Sequence, residues 1–461
     1  MYDLVVRGTL VLPVCNVPRG WLAVSNGRIA AIGDTEPPAA KVFHDAGGDF
    51  VMPGAIDGQT HATSAGGLPG LASTTRSAVA GGVTTLVDMP YDNPDPLNTM
   101  ERMQAKIEAI ETLSMADVAL YATVAPGQGT GALAELASAG AVAIKISSME
   151  SHPVRFPRIS GSDTLDLLTA AAVLKLPVGL HNEDQEIVRG SIAALKAKGL
   201  TAPKWHTPSR PVAAELAATA NFIALGMATG AHVHLVHISC PEGLAIVRAF
   251  REMGVKATSE IPVHYLHFDA TRDIGRLGAR MKVSPPIRGD VLPGLWDAML
   301  RGEVEFVSSD HSSWPIKNKL TDSIFDAGAG IPGLETLVPS FYSDLVGRVD
   351  APERVLASYL GERPARFFGL WPRKGTLAVG ADADVMVLRP GAVTFQAAST
   401  HDDLNWSPYD GETFRASVVA SFVRGTMTWN GTDVLGRAGH GRYIPRLGSE
   451  QTSNVEGVSH G

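Results

Sequence analysis

Between residues 51 and 310 the chain alternates short β-rich apolar runs with helix-length segments, and this alternation constrains the fold more than any other feature. The runs are Val51–Ile56, Val83–Met89, Val118–Val124, Ala141–Ile146, Pro177–His181, His232–Ile238, Val255–Glu260 and Val304–Asp310. Helical patterns fill most of the gaps, among them Met100–Thr112, Leu165–Leu174, Pro211–Met227 and Gly243–Met253. Ser209 ahead of Pro211, with Glu215 in the first turns, reads as the start of the third of these. Repeats of this kind predict an α/β protein built on a (β/α)8 TIM barrel. A hydrophobic share of 45% against 19% charged residues supplies apolar surface for so large a core.

The flanks follow strand grammar. Trp21–Val24, a turn at Ser25-Asn26-Gly27 and Arg28–Ile32 predict a hairpin. Past Gly369, the segments Gly375–Val379, Ala383–Leu388 and Ala416–Asn430 read as strands again. The two ends are expected to form one small β-sandwich from residues 1–52 and 369–445, beside a barrel of residues 53–368, with 446–461 as a polar tail. Lys and Arg number 39 against 47 Asp and Glu, and the resulting charge of −8 argues against a nucleic-acid or anionic-membrane partner. The weakly charged stretch Leu216–Cys240 contains three histidines and is split by Gly230, so it does not read as a membrane span. Cys15 and Cys240 make no disulfide framework, and the N-terminus carries no secretory pattern. The expected location is cytoplasmic.

Catalytic groups in a barrel of this kind sit at the C-terminal ends of the strands. There the runs finish on Gln59-Thr60-His61, Lys145, His181, His237 and Asp310. Singly, each has an ordinary reading: a strand-end histidine is usually a hydrogen-bonded core residue, and Asp310 fits a helix N-cap. His232 and His234 keep that structural reading. Lys145 is harder to set aside, because a buried unpaired ammonium is costly and must be paired, neutral or modified. Three histidines, an aspartate and a lysine converging on one rim form a metal-competent set.

With these residues in place the chain resembles the cyclic amidohydrolases: hydantoinases, dihydropyrimidinases, allantoinases and dihydroorotases. The resemblance covers nearly the whole chain. It rests on Val51-Met52-Pro53-Gly54-Ala55-Ile56-Asp57, on Lys145, on His181-Asn182-Glu183, and on Val236-His237-Ile238-Ser239. Lys282-Val283-Ser284-Pro285-Pro286-Ile287-Arg288, Ser309-Asp310-His311 and Gly333-Leu334-Glu335-Thr336 extend it, as do Gly375-Thr376-Leu377, Gly380-Ala381-Asp382-Ala383-Asp384 and Ser407-Pro408-Tyr409-Asp410-Gly411. The resemblance implies hydrolysis of a cyclic amide or ureide by attack of a metal-bound hydroxide, with divalent ions lowering the pKa of water and polarising the carbonyl. By the same resemblance His181 and His237 hold one ion, His61 and Asp310 another, and a carbamylated Lys145 bridges them. Zinc is the expected ion, with manganese or magnesium as alternatives. Asp310 is the implied proton carrier, and Ser284 and the backbone near Gly330 are implied to orient the substrate. Homodimers or homotetramers are expected.

The sequence departs from the family at three points. The family's Asp-x-His-x-His reads Asp57-Gly58-Gln59-Thr60-His61 here, so Gln59 is expected to be a weak or absent ligand, leaving one or two ions. Thr63 stands where dihydroorotases place a carboxylate-binding Arg, and Tyr91 replaces their Asn, which argues against dihydroorotate. Glu150 stands where D-hydantoinases carry an oxyanion-stabilising Tyr. Thr63 and Glu150 are therefore read as substrate-side positions that set specificity, and an allantoinase-like or L-hydantoinase-like enzyme remains. The alternative is a non-catalytic or single-metal homologue acting as a scaffold or on a different amide. A deaminase is a weaker third reading, since its Glu–His pair has no place in the sequence.

Overall fold

The computed structural model describes residues 1–448. Its strands in chain order are β1 (Tyr2–Val11), β2 (Asn16–Ser25), β3 (Arg28–Gly33), β4 (Ala40–Pro53), β5 (Ala55–His61), β6 (Val83–Asp88), β7 (Asp117–Ala122) and β8 (Ala143–Ser147). They continue with β9 (Val178–His181), β10 (Val233–Leu235), β11 (Ala257–Pro262), β12 (Phe306–Ser308), β13 (His311–Ser312), β14 (Val385–Thr394), β15 (Thr413–Val423) and β16 (Thr426–Trp429).

Strands β5 to β12 lie parallel and in sequence order, with β13 added alongside β5. Strands β6, β7 and β8 are buried at every residue, as expected where helices cover a parallel sheet on one side and other strands face it on the other. The sheet curls until its ends meet. The Ser309 backbone N–H and hydroxyl donate to the Asp57 carboxylate at 2.8 and 2.5 Å. Gly58 makes room for the Phe306 ring, because a Cβ there would lie 2.3 Å from it.

The helices start where local chemistry allows. Thr99, Ser160 and Asp184 accept from backbone N–H groups and cap Met100–Leu113, Gly161–Leu174 and Gln185–Ala197. The helix expected from Pro211 starts one residue later, at Val212, but Ser209 does not cap it. Ser209 ends a separate short helix and donates to His206 O, and Val212–Thr229 begins after Pro211 without a side-chain cap. Glu215 lies in the first turn, as expected, and is buried there, pairing with Arg288 at 2.9 Å. The apolar stretch Pro203–Thr229 is long and apolar enough to cross a membrane. Here it is divided at Pro211, and its longer helix buries Phe222 and Ile223 together with Glu215.

The two ends of the chain join in one seven-stranded sheet ordered β16-β15-β14-β4-β1-β2-β3. The junction is the antiparallel β4–β14 pair, with Val51 opposite Val387. Leu4, Val6, Leu22, Val385 and Phe422 share its apolar core. The pairing of the ends is as expected, but the strands hydrogen-bond as a single continuous sheet. Gly375–Val379 is a loop rather than a strand. The apolar run Val51–Ile56 divides at Gly54: its first part ends β4 in the small sheet and its second opens β5 in the curled one. The hairpin forms on Asn26 (φ 53°) and Gly27 (φ 75°), the positive pair that a tight two-residue turn requires. Of the expected tail, Arg446 and Leu447 dock by backbone N–H donation to Gly140 O and Gly369 O, and residues 449–461 lie outside the described residues.

Candidate active site

The C-terminal ends of the curled sheet bring His61, Lys145, His181, His237 and Asp310 to the wall of one cavity of about 450 Å³. Two of these, His237 (φ 42°) and Asp310 (φ 47°), are non-glycine residues in the left-handed region just past their strands. Such backbone strain persists where surrounding structure over-determines it, and it concentrates at functional sites.

Four of the groups form two pairs, and Lys145 lines the same cavity. His61 Nε2 lies 3.5 Å from Asp310 Oδ1. His181 Nδ1 lies 2.9 Å from His237 Nε2. Burial keeps both rings of the second pair well disposed to neutrality, lowering their pKa values, and Lys145 adds to this at His237. His181 Nε2 meets Glu183 at 2.9 Å, so with that nitrogen protonated its Nδ1 directs a lone pair at His237. For Glu183 itself, burial raises the pKa, but Arg210 and His181 outweigh it and pull the carboxyl down to about 2. Asp310 behaves similarly: burial pushes it up, and His61, His264 and Lys145 hold it below the usual range.

Lys145 is fully enclosed and, among the described residues, its ammonium makes no hydrogen bond or ion pair. Burial pulls it down to about 7, with Asp310 and Glu260 opposing. Glu260 is raised to about 8 by burial while accepting from the His237 backbone N–H at 2.7 Å. Gln59 donates Nε2 to Asp310 Oδ1 at 2.7 Å, and its Oε1 is buried without a partner. It therefore meets the carboxylate as a donor.

A divalent ion fits this donor set. Two neutral imidazoles converge, an ionised carboxylate lines the same cavity, His237 Nδ1 and Gln59 Oε1 are orphaned, and the Lys145 amine of low pKa acts electrostatically on Asp310, His181 and His237. The Glu183–His181 contact is the carboxylate–histidine support that metal ligands characteristically have. Among the described residues, Asp117, Asp382 and Asp384 are the one group of three or more His, Cys, Asp or Glu whose ligand atoms all lie within 4.8 Å of one another, whereas the cavity residues approach one another in pairs. A cation already fills it: Lys374 Nζ lies 2.5, 3.1 and 2.5 Å from the three.

Of the expected substrate-side residues, Ser284, Gly330 and Glu150 line the cavity. The Ser284 hydroxyl is buried without a partner. Gly330 has φ 116°, and a Cβ there would lie 2.6 Å from Ser312. Glu150 sits at the rim, paired with Arg189 at 3.0 Å. Thr63 is a correction. The chain leaves β5 at His61, so Thr63 turns away from the cavity into a buried cluster with Asp92, Asp88 and Lys106. Sequence reasoning also missed Arg155, Phe156, Arg210 and Glu260 at or beneath the cavity. Glu260 alone had a signal, as a carboxylate ending an apolar strand.

A family model described as dihydro-orotase-like matches residues 48–243. The chain is 35% identical to an allantoinase from Rubrobacter xylanophilus, over 96% of this chain and 97% of that one. It is 30% identical to an L-hydantoinase from Paenarthrobacter aurescens, over 98% and 99%. Among solved structures it is similar to the L-hydantoinase (dihydropyrimidinase) from Arthrobacter aurescens, with a TM-score of 0.91, 30% identity and coverage of 97% and 100%. A D-hydantoinase from Thermus sp. follows at a TM-score of 0.88 and 26% identity, covering 96% and 99%. The chain belongs to the cyclic amidohydrolase family. It is a hydrolase of cyclic amides, and the scaffold alternative is not favoured.

Proposed function

We propose that this enzyme opens the ring of a cyclic ureide, as an allantoinase-like or L-hydantoinase-like hydrolase, at a divalent-metal centre on the cavity wall. One observation carries the reading: the pairs His181–His237 and His61–Asp310 converge with an enclosed, partnerless Lys145 on a cavity of ring size.

His181 and His237 would hold one ion and His61 and Asp310 a second, and Lys145, as a carbamate, would supply a further anionic ligand. The metal would lower the pKa of water and polarise the ring carbonyl. Lys145 suits the carbamate because at about 7 a large fraction of it is free amine. Amine addition to carbon dioxide, with loss of one proton, converts a buried cation into a buried anion. Asp310, ionised at neutral pH, takes the proton from the attacking water and delivers it to the leaving ring nitrogen. Gln59 steadies Asp310 through its amide donor, which favours a weakened second ion over a full pair. Ser284 and the Gly330 backbone orient the ring. Zinc is the preferred ion, with manganese or magnesium suited to the oxygen-rich side.

The reading extends to the architecture: the curled sheet is the (β/α)8 barrel, residues 53–368, and the chain ends fold around their shared core as the small β-sandwich. The free Cys15 and Cys240 suit a cytoplasmic location, and assembly as a homodimer or homotetramer belongs to the same reading.

The test is a substrate panel with added zinc, manganese or cobalt: allantoin, substituted hydantoins, dihydrouracil, cyclic imides and dihydroorotate. Opening of allantoin or a hydantoin as the fastest reaction is expected. Preference for dihydroorotate, or no hydrolysis with any metal, contradicts it.

A further inference from the structure

The mouth of the cavity carries one permanent positive charge that the protein leaves almost unspent. Arg155 belongs to the segment between β8 and the helix Gly161–Leu174 and lines the cavity. Its position is fixed locally. His152 Nδ1 accepts the backbone N–H groups of Val154 and Arg155 at 3.2 and 3.1 Å, and His152 O accepts that of Phe156 at 3.0 Å. From this turn the guanidinium crosses to the segment after β5, where Nη1 donates to Ser64 O at 2.5 Å. Ser64 in turn touches His61 Nδ1 through its hydroxyl at 3.1 Å.

Outside the set of His61, Lys145, His181, His237 and Asp310, the other charges at the cavity are committed. Arg210 pairs with Glu183, and Glu150 with Arg189. Lys282 has no carboxylate partner, but its ammonium donates to Ile324 O at 2.6 Å and to Ala327 O. Arg155 has five N–H donors, and one hydrogen bond accounts for a single one of them. Among the described residues no carboxylate lies within ion-pairing distance of it, and burial lowers its pKa with nothing to offset the loss of water. Beside it, Phe156 packs on Tyr91 with ring centroids 3.8 Å apart and on His181 at 5.5 Å, an aromatic wall running from the arginine to the expected metal ligands.

A planar, partly desolvated guanidinium edge next to an aromatic wall is built for a planar acceptor group attached to a flat ring. We propose that Arg155 is a specificity-determining residue that binds the exocyclic substituent of the substrate. The enzyme would then prefer cyclic ureides whose substituent carries a carboxylate or a ureido carbonyl over those with an apolar substituent. This rests on the cyclic-ureide reading above and assigns its substrate class.

The experiment uses three hydantoins with similar-sized substituents at the ring carbon: ureido (allantoin), carboxymethyl and isobutyl. Full-length wild type, Arg155→Met and Arg155→Lys are compared by kcat and KM. Wild type should favour the better of the two polar substrates over isobutyl. Arg155→Met should lower that polar-to-apolar ratio of kcat/KM roughly 10- to 100-fold, mainly through KM, the scale of hydrogen bonds to a charged group. Loss confined to the carboxymethyl substrate identifies an anion site, and loss confined to allantoin a carbonyl site; Arg155→Lys should restore the former better than the latter. An unchanged ratio in Arg155→Met, or a wild-type preference for isobutyl, overturns the proposal. If wild type hydrolyses none of the three, the ring-opening reading fails, and calorimetric binding of the two polar hydantoins still decides Arg155. Binding weakened in Arg155→Met sustains its role, and equal or absent binding defeats it.

Discussion

Two lysines are buried equally deeply in this protein, and the protein treats them in opposite ways. Lys374 is held near the N-terminal end of β7 by Asp117, Asp382 and Asp384, with Arg424 also on Asp117. Those aspartates raise its pKa against the burial penalty. Lys145, toward the other end of the curled sheet, has no such partner, and burial brings it down to about 7. The first cluster is electrically closed and ties β7 to the chain's C-terminal strands. The second is open, with orphaned atoms on His237, Gln59 and Ser284 around it. A folded protein satisfies its buried polar groups unless something else completes them. The closed cluster therefore marks stability, and the open one marks chemistry.

That contrast can be broken by exchanging its consequences. Lys145→Ala should lower ring-opening activity roughly 10³-fold or more, the scale on which single catalytic groups act. It should also deplete bound metal, while thermal unfolding stays unchanged or rises because a partnerless buried amine is gone. Full activity in this variant would defeat the bridging assignment. Lys374→Met should do the reverse. Removing one partner of a buried ionic cluster costs about 3–5 kcal/mol, to be read from denaturant unfolding, and activity per folded molecule should be retained. A stability loss under about 1 kcal/mol would mean the aspartates are satisfied without it. The smallest effect is expected at Gln59→His, which replaces an amide donor to Asp310 with an imidazole. Affinity for the weaker ion should rise roughly tenfold, and an unchanged metal stoichiometry would mean that this position does not ligate.

Much of the frame was legible in the sequence because it rests on local periodicity. Seven of the eight apolar runs appear as parallel strands of the curled sheet, displaced by only a residue or two at most ends, and the first, Val51–Ile56, is split at Gly54 between β4 and β5. Asn26-Gly27 announces its turn through backbone preference alone. The failures come from partners far along the chain. Glu215 was legible as a first-turn residue, but its pairing with Arg288, 73 residues away, was not. Thr63 looked like a substrate contact because His61 precedes it by two, yet the strand stops at His61 and Asp88 captures the Ala62 backbone N–H. At the site, the residues ending strands were found by position, whereas Arg155 lies in an irregular segment with no periodicity to read. Gln59 was legible as a departure, but its hydrogen bond to Asp310 depends on a residue 251 positions later.

The central claim is that the open cluster becomes a working site only with a divalent cation. The most direct measurement is hydrolysis of allantoin or a hydantoin by protein stripped with a chelator and then titrated with zinc or manganese, with bound metal counted by elemental analysis at each point. Activity should vanish on stripping and return in proportion to the ion bound, reaching its plateau at one or two per chain. Undiminished hydrolysis by metal-free protein would contradict the account.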